Sequence, residues 1–215
     1  MMALTEEGMS SAQMDPEAHW NRVYRSKKPD DVSWYQTSPE ESLRFIRRFG
    51  GTSARVIDVG AGASGLVDAL LHAGYPRPIA LDASAEGLAH AKRRLGPRAE
   101  LVDWIAGDVT SEPALPEVDV WHDRAVLHFL TQLDDQQAYA RLAASTVHRG
   151  GHAVIGTFAP DGPERCSGLQ VQQHDGASMA LLLGAPFELL EERRQVHWTP
   201  SGAEQRFCWS VFRRR

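Results

Sequence analysis

The sequence predicts an α/β protein, a doubly wound and mostly parallel seven-stranded sheet with helices on both faces and a C-terminal antiparallel hairpin. Three observations predict it. Between residues 55 and 158, short and almost continuously apolar runs alternate with amphipathic segments, the pattern of strands buried on both faces and joined by crossover helices. The first of these runs leads into Gly60-x-Gly62-x-x-Gly65, glycines set between a strand and a helix. Residues 187–198 and 204–212 are then two extended segments joined by Thr199-Pro200-Ser201-Gly202, a turn-forming tetrapeptide.

Residues 1–14 are small and polar with no apolar period and read as a flexible leader. One domain is expected over 15–215, with a helical cover at 15–50, a ligand-binding core at 51–158, a lid loop and helix at 159–184 and the closing hairpin at 185–215. Asp15-Pro16-Glu17 supplies a cap, a first-turn proline and a first-turn acid, followed by Trp20, Val23 and Tyr24 at helical spacing. Ser38-Pro39-Glu40-Glu41 reads as a capping box, and the stripe Leu43, Phe45, Ile46, Phe49 ends at Gly50-Gly51. Strands are expected at 55–59, 78–81, 100–105, 118–122 and 152–158, and helices at 66–73, 86–95 and 134–147. A polar loop punctuated by glycine and proline follows Phe158. It stands at the carboxyl end of a strand, where ligands of open α/β sheets bind, and so reads as a lid.

Composition narrows the function. A chain of 215 residues with 42% hydrophobic and 24% charged residues buries a full core and is neither disordered nor fibrous. The net charge of −5 gives no general attraction to nucleic acid, and the run Arg213-Arg214-Arg215 is too short to alter that. No apolar run has the ~20 residues of a membrane span. Two cysteines, Cys166 and Cys208, lack disulfide-framework or zinc spacing, and His122, His174 and His197 lack metal-ligand spacing, so no metal is expected. These features suit a cytoplasmic protein, monomeric or homodimeric, that acts on a small molecule and not on nucleic acid or membrane.

Glycines between a strand and a helix let the backbone approach a ligand closely, but they serve dinucleotides as well as other nucleosides. Asp82, at the end of the next strand, suits a ribose hydroxyl pair in either case. Asp58 is more discriminating. A carboxylate inside an apolar strand, two residues before the first glycine, is costly to bury unless donors meet it. A cationic ligand answers that need, whereas a dinucleotide diphosphate would be repelled. A purely structural Asp58, pinning the turn through amides, stays open on this reading alone.

At this point the chain resembles the class I S-adenosylmethionine-dependent methyltransferases. Val56-Ile57-Asp58-Val59-Gly60-Ala61-Gly62 is similar to the first motif of that family. Ala80-Leu81-Asp82-Ala83-Ser84 resembles the second, Ile105-Ala106-Gly107-Asp108-Val109 the third, and 118–125 the fourth, while His148 to Val154 resembles the glycine turn before the fifth strand. The resemblance implies S-adenosyl-L-methionine as cofactor and S-adenosyl-L-homocysteine as product. It also implies that Asp58, Gly60, Ala61 and Gly62 hold the methionine part, that Asp82, Ala83 and Ser84 hold the ribose, and that Gly107, Asp108 and Val109 hold the adenine.

The substrate side is read from chemistry. Methyl transfer needs an aligned nucleophile and, where that atom carries a proton, a base. Aromatic faces attract a sulfonium, which marks Trp20 and Tyr24 as cofactor covers and Trp34 and Tyr35 as substrate walls. Asp123, Arg124 and His128 follow the fourth strand. A helix starting there would put Arg124 and His128 on one face toward the substrate, with His128 able to accept a proton. Asp123 is the second catalytic candidate, and Asp123 and Arg124 are also cofactor-binding candidates. Phe158 and Cys166 complete the substrate candidates. The expected acceptor is a small thiol, metalloid, carboxylate or amine. A protein lysine is the alternative, because the stretch ending Asp31-Val32-Ser33-Trp34-Tyr35 resembles small lysine methyltransferases while 123–128 departs from them. A nicotinamide oxidoreductase and a catalytically silent S-adenosylmethionine-binding module are the further alternatives.

Overall fold

A computed structural model describes residues 15–215, so the leader expected at 1–14 lies outside the described residues. The order is α1 (Pro16–Ser26), α2 (Glu40–Gly50), β1 (Val56–Val59), α3 (Leu66–His72), β2 (Ile79–Asp82), α4 (Ala85–Leu95), β3 (Asp103–Ala106), β4 (Val118–Arg124) and α5 (Leu133–Thr146). There follow β5 (Val147–Phe158), β6 (Arg165–Cys166), β7 (Leu169–Gln170), α6 (Gly176–Leu183), β8 (Phe187–Trp198) and β9 (Glu204–Arg214). Seven strands form one sheet in the order β3-β2-β1-β4-β5-β9-β8. The first five are parallel, and β9 runs antiparallel between β5 and β8. The strand order reverses between β1 and β4, and a crevice at such a switch point is where this class of sheet takes its ligands.

Local chemistry explains the element ends. Asp15 caps α1 by accepting from the amides of Glu17 and Ala18, and Pro16 stands where an amide would have had no partner. Ser84 caps α4 through Gly87, and Asp175 forms a reciprocal box with Ser178 at the start of α6. The box expected at Ser38 does not form. Pro39 takes the cap position with no side-chain bond, and Glu41 pairs instead with Arg44 at 2.7 Å and Arg193 at 3.1 Å, stronger partners than a backbone amide.

Other boundaries also differ from expectation. A 3-10 turn at Gly96–Leu101, with Pro97 in its first turn, occupies the start of the run expected as the third strand, which begins only at Asp103. The glycine pair expected before the fifth strand lies inside β5, where the register against β4 shifts between Val118 and Val120. Within the expected lid, β6 and β7 form a separate two-stranded sheet.

The sheet buries both faces. On one, Ile57, Val59, Leu81 and Trp121 pack with Tyr139 and Leu142 of α5 and Met179 of α6. On the other, Val56, Val120, Val154 and Trp209 pack with Phe45 and Ile46 of α2 and Leu70 of α3. Among the described residues no helix is long and apolar enough to cross a membrane.

Candidate active site

The site is built on the carboxyl ends of β1, β2 and β4. Asp58 is buried, and the parallel register sets it directly opposite His122 of β4. The His122 Nδ1 meets Asp58 Oδ1 at 2.8 Å, and the Ser64 hydroxyl donates weakly to Oδ2 at 3.5 Å. The carboxylate orients the ring with its Nδ1–H inward, a tautomer assigned from the bond it makes. His122 Nε2 is then a buried polar atom without a partner. Sequence reasoning set His122 aside as a metal ligand and placed it within the fourth motif without a role of its own. The signal it offered was the same as that of Asp58: a polar residue inside an apolar strand.

The glycine turn follows. Gly60 and Gly62 have φ of +71° and +45°, which side-chain-bearing residues rarely adopt. A Cβ on Gly60 would lie 2.1 Å from Val126 Cγ2, and one on Gly62 would lie 2.0 Å from the Tyr24 hydroxyl oxygen. The turn is therefore packed so closely by Val126 and Tyr24 that neither position admits a Cβ. The amides of Gly60 and Ala61 donate to the Leu81 carbonyl and that of Gly62 to Asp82 Oδ2 at 2.8 Å, fastening β1 to β2.

Asp82 is buried and also accepts from Ser84 N at 2.6 Å. Burial, helped in smaller part by the Asp58 charge, pushes its carboxyl up to about 7 against the pull of those two amides. Two acids buried side by side give this crevice a character that favours a cation. Asp108 caps the 3-10 turn Val109–Ser111 through Thr110 N, Val109 is buried beneath it, and Gly107 N donates to the Asp82 carbonyl. Ala83 is half-buried between Asp82 and Ser84.

α1 closes over this crevice. Tyr24 is buried, and its hydroxyl faces the Ala63 amide, the Trp34 indole and Asp82. Burial first, then the Asp82 charge, raises its pKa and keeps it a neutral phenol. Four contacts that sequence reasoning missed hold the helix on α4 and its cap. Asn21 Oδ1 accepts from the Ser84 hydroxyl at 2.8 Å and Glu86 N at 3.2 Å, Arg25 pairs with Glu86, and His90 Nε2 meets the Tyr24 carbonyl. Asn21 could have been found, because it precedes Tyr24 by three residues and shares its helix face. Trp20 lies edge-on to Trp34 at 5.8 Å and to Phe129 at 5.0 Å, and Tyr35 is half-buried in the turn after Trp34.

The structure separates the remaining candidates. No helix starts at Asp123. β4 runs through Arg124, Ala125 takes φ +74° with its amide on the Gly156 carbonyl, and a 3-10 turn at Leu127–Phe129 follows. Arg124 and His128 thus do not share a helix face. Asp123 points to the opposite side of the sheet and accepts from Val126 N, Leu127 N and the Tyr139 hydroxyl, while Tyr139 in turn accepts from the Trp121 indole. Burial lifts its carboxyl to about 6, but its bonds are those of a fold-holding residue.

His128 is fully buried, 4.5 Å from both Phe129 and Phe158, and its Nδ1 accepts from Phe158 N. Desolvation drives it down to about 3, so it is neutral in the core and not poised to take a proton near neutrality. Phe158 is buried between His128 and Phe207 and lines no open surface. Cys166 is buried too, and desolvation raises its thiol above the usual range, which keeps it protonated.

His128 carries a pH prediction. Its folded pKa lies below the ordinary 6.5, so its contribution to stability is complete above that pH and is lost as pH falls toward about 3. The slope is at most about 1.4 kcal/mol per pH unit. His128→Asn keeps an acceptor for Phe158 N and does not titrate. The stability gap between wild type and H128N, measured by urea unfolding, is expected to shift by about 1–2 kcal/mol against wild type between pH 7 and pH 5. A constant gap would show that the ring is not kept neutral by the core.

Comparisons with known proteins bear on the family and the fold. Residues 56–151 match the family model of a methyltransferase domain. No curated protein matches the chain in sequence. Among solved structures, the chain is similar to a Burkholderia thailandensis 1,6-didemethyltoxoflavin-N1-methyltransferase with bound 1,6-didemethyltoxoflavin and S-adenosylhomocysteine. Identity is 22% and the TM-score 0.71, over 94% of this chain and 91% of that one. An Anabaena variabilis SAM-dependent methyltransferase gives 16% and 0.71 over 93% of each chain. The Bradyrhizobium japonicum N-methyltransferase NodS, in complex with S-adenosylhomocysteine, gives 14% and 0.69 over 91% and 98%.

Proposed function

Starting from a class I S-adenosylmethionine-dependent methyltransferase, we propose that this chain methylates a small-molecule nucleophile held in the aromatic crevice between α1, the turn at 33–36 and the end of β4. The observation that carries the reading is the pair of buried acids, Asp58 and Asp82, flanking a glycine turn under the aromatic cover of Tyr24, Trp34 and Trp20. S-adenosylmethionine, when bound, supplies the methyl group on a sulfonium, an electrophile that needs no metal to activate it.

The chain's own residues bind and orient. Asp58, steadied by His122, would take the ammonium of the methionine part beside the turn Gly60, Ala61 and Gly62. Asp82, whose two oxygens already accept from Gly62 N and Ser84 N, would take the ribose hydroxyls on its remaining lone pairs, and Asp108 with Gly107 and Val109 would flank the base. Trp20, Trp34 and Phe129 exclude water from the transfer point, and a dry site strengthens each of these electrostatic contacts. The Burkholderia neighbour, with its small heteroaromatic ligand, supports an acceptor of that size.

The test is stabilisation of the full chain by ligand. S-adenosylhomocysteine is expected to raise the melting temperature and NADH is not, since a ligand stabilises only the state that binds it. Methyl transfer is then read by mass spectrometry over thiols, amines, carboxylates, metalloid oxyanions and lysine peptides. Stabilisation by NADH alone would overturn the cofactor reading. Methylation of a peptide lysine with none of the small acceptors would overturn the acceptor reading, as would binding of S-adenosylhomocysteine with no transfer to any of them.

A further inference from the structure

Arg124 ends β4 on the crevice side, two residues past His122 and on the same strand face. Its guanidinium carbon lies 4.8 Å over the ring of Phe207, and Nη1 donates to the Trp34 carbonyl at 3.0 Å. Nε and Nη2 are buried and have no partner. Among the described residues, no other lysine or arginine has buried donors left unpaired. A guanidinium in this state is costly to fold unless something occasionally meets it.

The unpaired nitrogens are chemically specific. Nε and Nη2 form the edge on which arginine makes two parallel bonds to a carboxylate, a match of fork to fork that a single hydroxyl or amide cannot supply. The same edge works this way elsewhere in the chain, where Arg94 Nε and Nη2 meet Asp68 Oδ1 and Oδ2 at 3.1 Å and 2.6 Å. Asp58, the nearest acid along the crevice, is already engaged by His122. Arg124 also lies near the Cys166 thiol, a neutral group with no carboxylate oxygens to offer.

We propose that Arg124 anchors the carboxylate of the methyl acceptor, which makes the substrate a small organic acid with an aromatic or apolar body. The proposal rests on the methyltransferase reading above. The acid's body would lie against Trp20, Trp34 and Phe129, the half-buried rings beside the guanidinium's carbonyl partner. Position favours the acceptor over the cofactor as the source of the carboxylate. Arg124 stands one strand over from Asp58 and about 7 Å farther along the sheet. Its neighbours Trp34, Cys166 and Phe207 belong to the cover, β6 and β9, none of which carries the glycine turn.

The experiment uses the full chain saturated with S-adenosylhomocysteine. Benzoate and 3-phenylpropanoate are the probes, and benzamide and 3-phenylpropanol are their uncharged counterparts. Wild type is expected to bind each acid at least tenfold more tightly than its counterpart, by calorimetry. Arg124→Gln is expected to lose that preference while its affinity for S-adenosylhomocysteine stays within about threefold. Arg124→Lys, which keeps the charge without the fork, is expected to retain only part of the preference, and thermal melts of both variants check that they fold. Equal binding of acids and counterparts by wild type overturns the proposal. A tenfold loss of S-adenosylhomocysteine affinity in both variants also overturns it, because the edge then serves the cofactor's own carboxylate. If wild type fails to bind S-adenosylhomocysteine, the methyltransferase reading itself falls, and that is seen before any acid is added.

Discussion

Asp58→Asn is expected to weaken S-adenosylhomocysteine binding by about ten- to a hundredfold, the loss that follows when a hydrogen bond to a charged group, about 1.5–3 kcal/mol, becomes a neutral one. The substitution keeps the shape of the side chain and an oxygen for His122 Nδ1, so the buried pair that closes β1 against β4 survives. What disappears is the negative charge facing the ligand. Calorimetric titration checks the affinity, and a melting temperature near that of wild type shows that the fold is unchanged. An affinity within twofold of wild type would mean that Asp58 serves His122 alone, the structural role that its place in an apolar strand left open.

Gly60→Ala is expected to cost stability, about 2–5 kcal/mol, combining the penalty of about 1–2 kcal/mol for a side chain in the left-handed region with about 1–3 kcal/mol for overpacking. The new methyl would arrive 2.1 Å from Val126 Cγ2, a branched side chain with little freedom to retreat. For a chain of this size that corresponds to a fall in melting temperature of roughly 5–20 °C by thermal denaturation. Adding Val126→Ala removes the obstructing methyl and should recover the packing share while leaving the backbone share. Full recovery, or none, would show that the two contributions are wrongly divided.

Much of this molecule is legible in its amino acids because the informative features are local. The strand-glycine-helix run at 56–66 and the acids ending β1 and β2 need no knowledge of distant residues. The parts that escaped are those decided by neighbours far along the chain. His122 finds Asp58 across 64 residues, a register that no local pattern announces. His128 reads as a helix histidine until Ala125 takes its left-handed turn and Phe158 and Phe129 enclose the ring. Arg124 resembles any strand-end cation, and only Trp34 and Phe207, from opposite ends of the chain, reveal which of its nitrogens are engaged. The conflict at Ala125 is also informative. A non-glycine residue held at positive φ costs about 1–3 kcal/mol, and such strain tends to collect where a functional surface dictates the backbone.

The sheet order has a bearing on assembly. β9 is the last strand in sequence but lies inside the sheet, with β8 outside it. The β8–β9 hairpin has short-range contacts and can form early, whereas its docking onto β5 closes a loop that spans the whole lid region, a slower event. Until that docking, the edge of β5 from Ala153 to Phe158 is an unpaired, wholly apolar-lined ribbon apart from Gly156 and Thr157. Such an edge is a template for pairing with another chain. The vulnerable moment of this fold is therefore not the assembly of the ligand-binding half but the interval before the hairpin arrives.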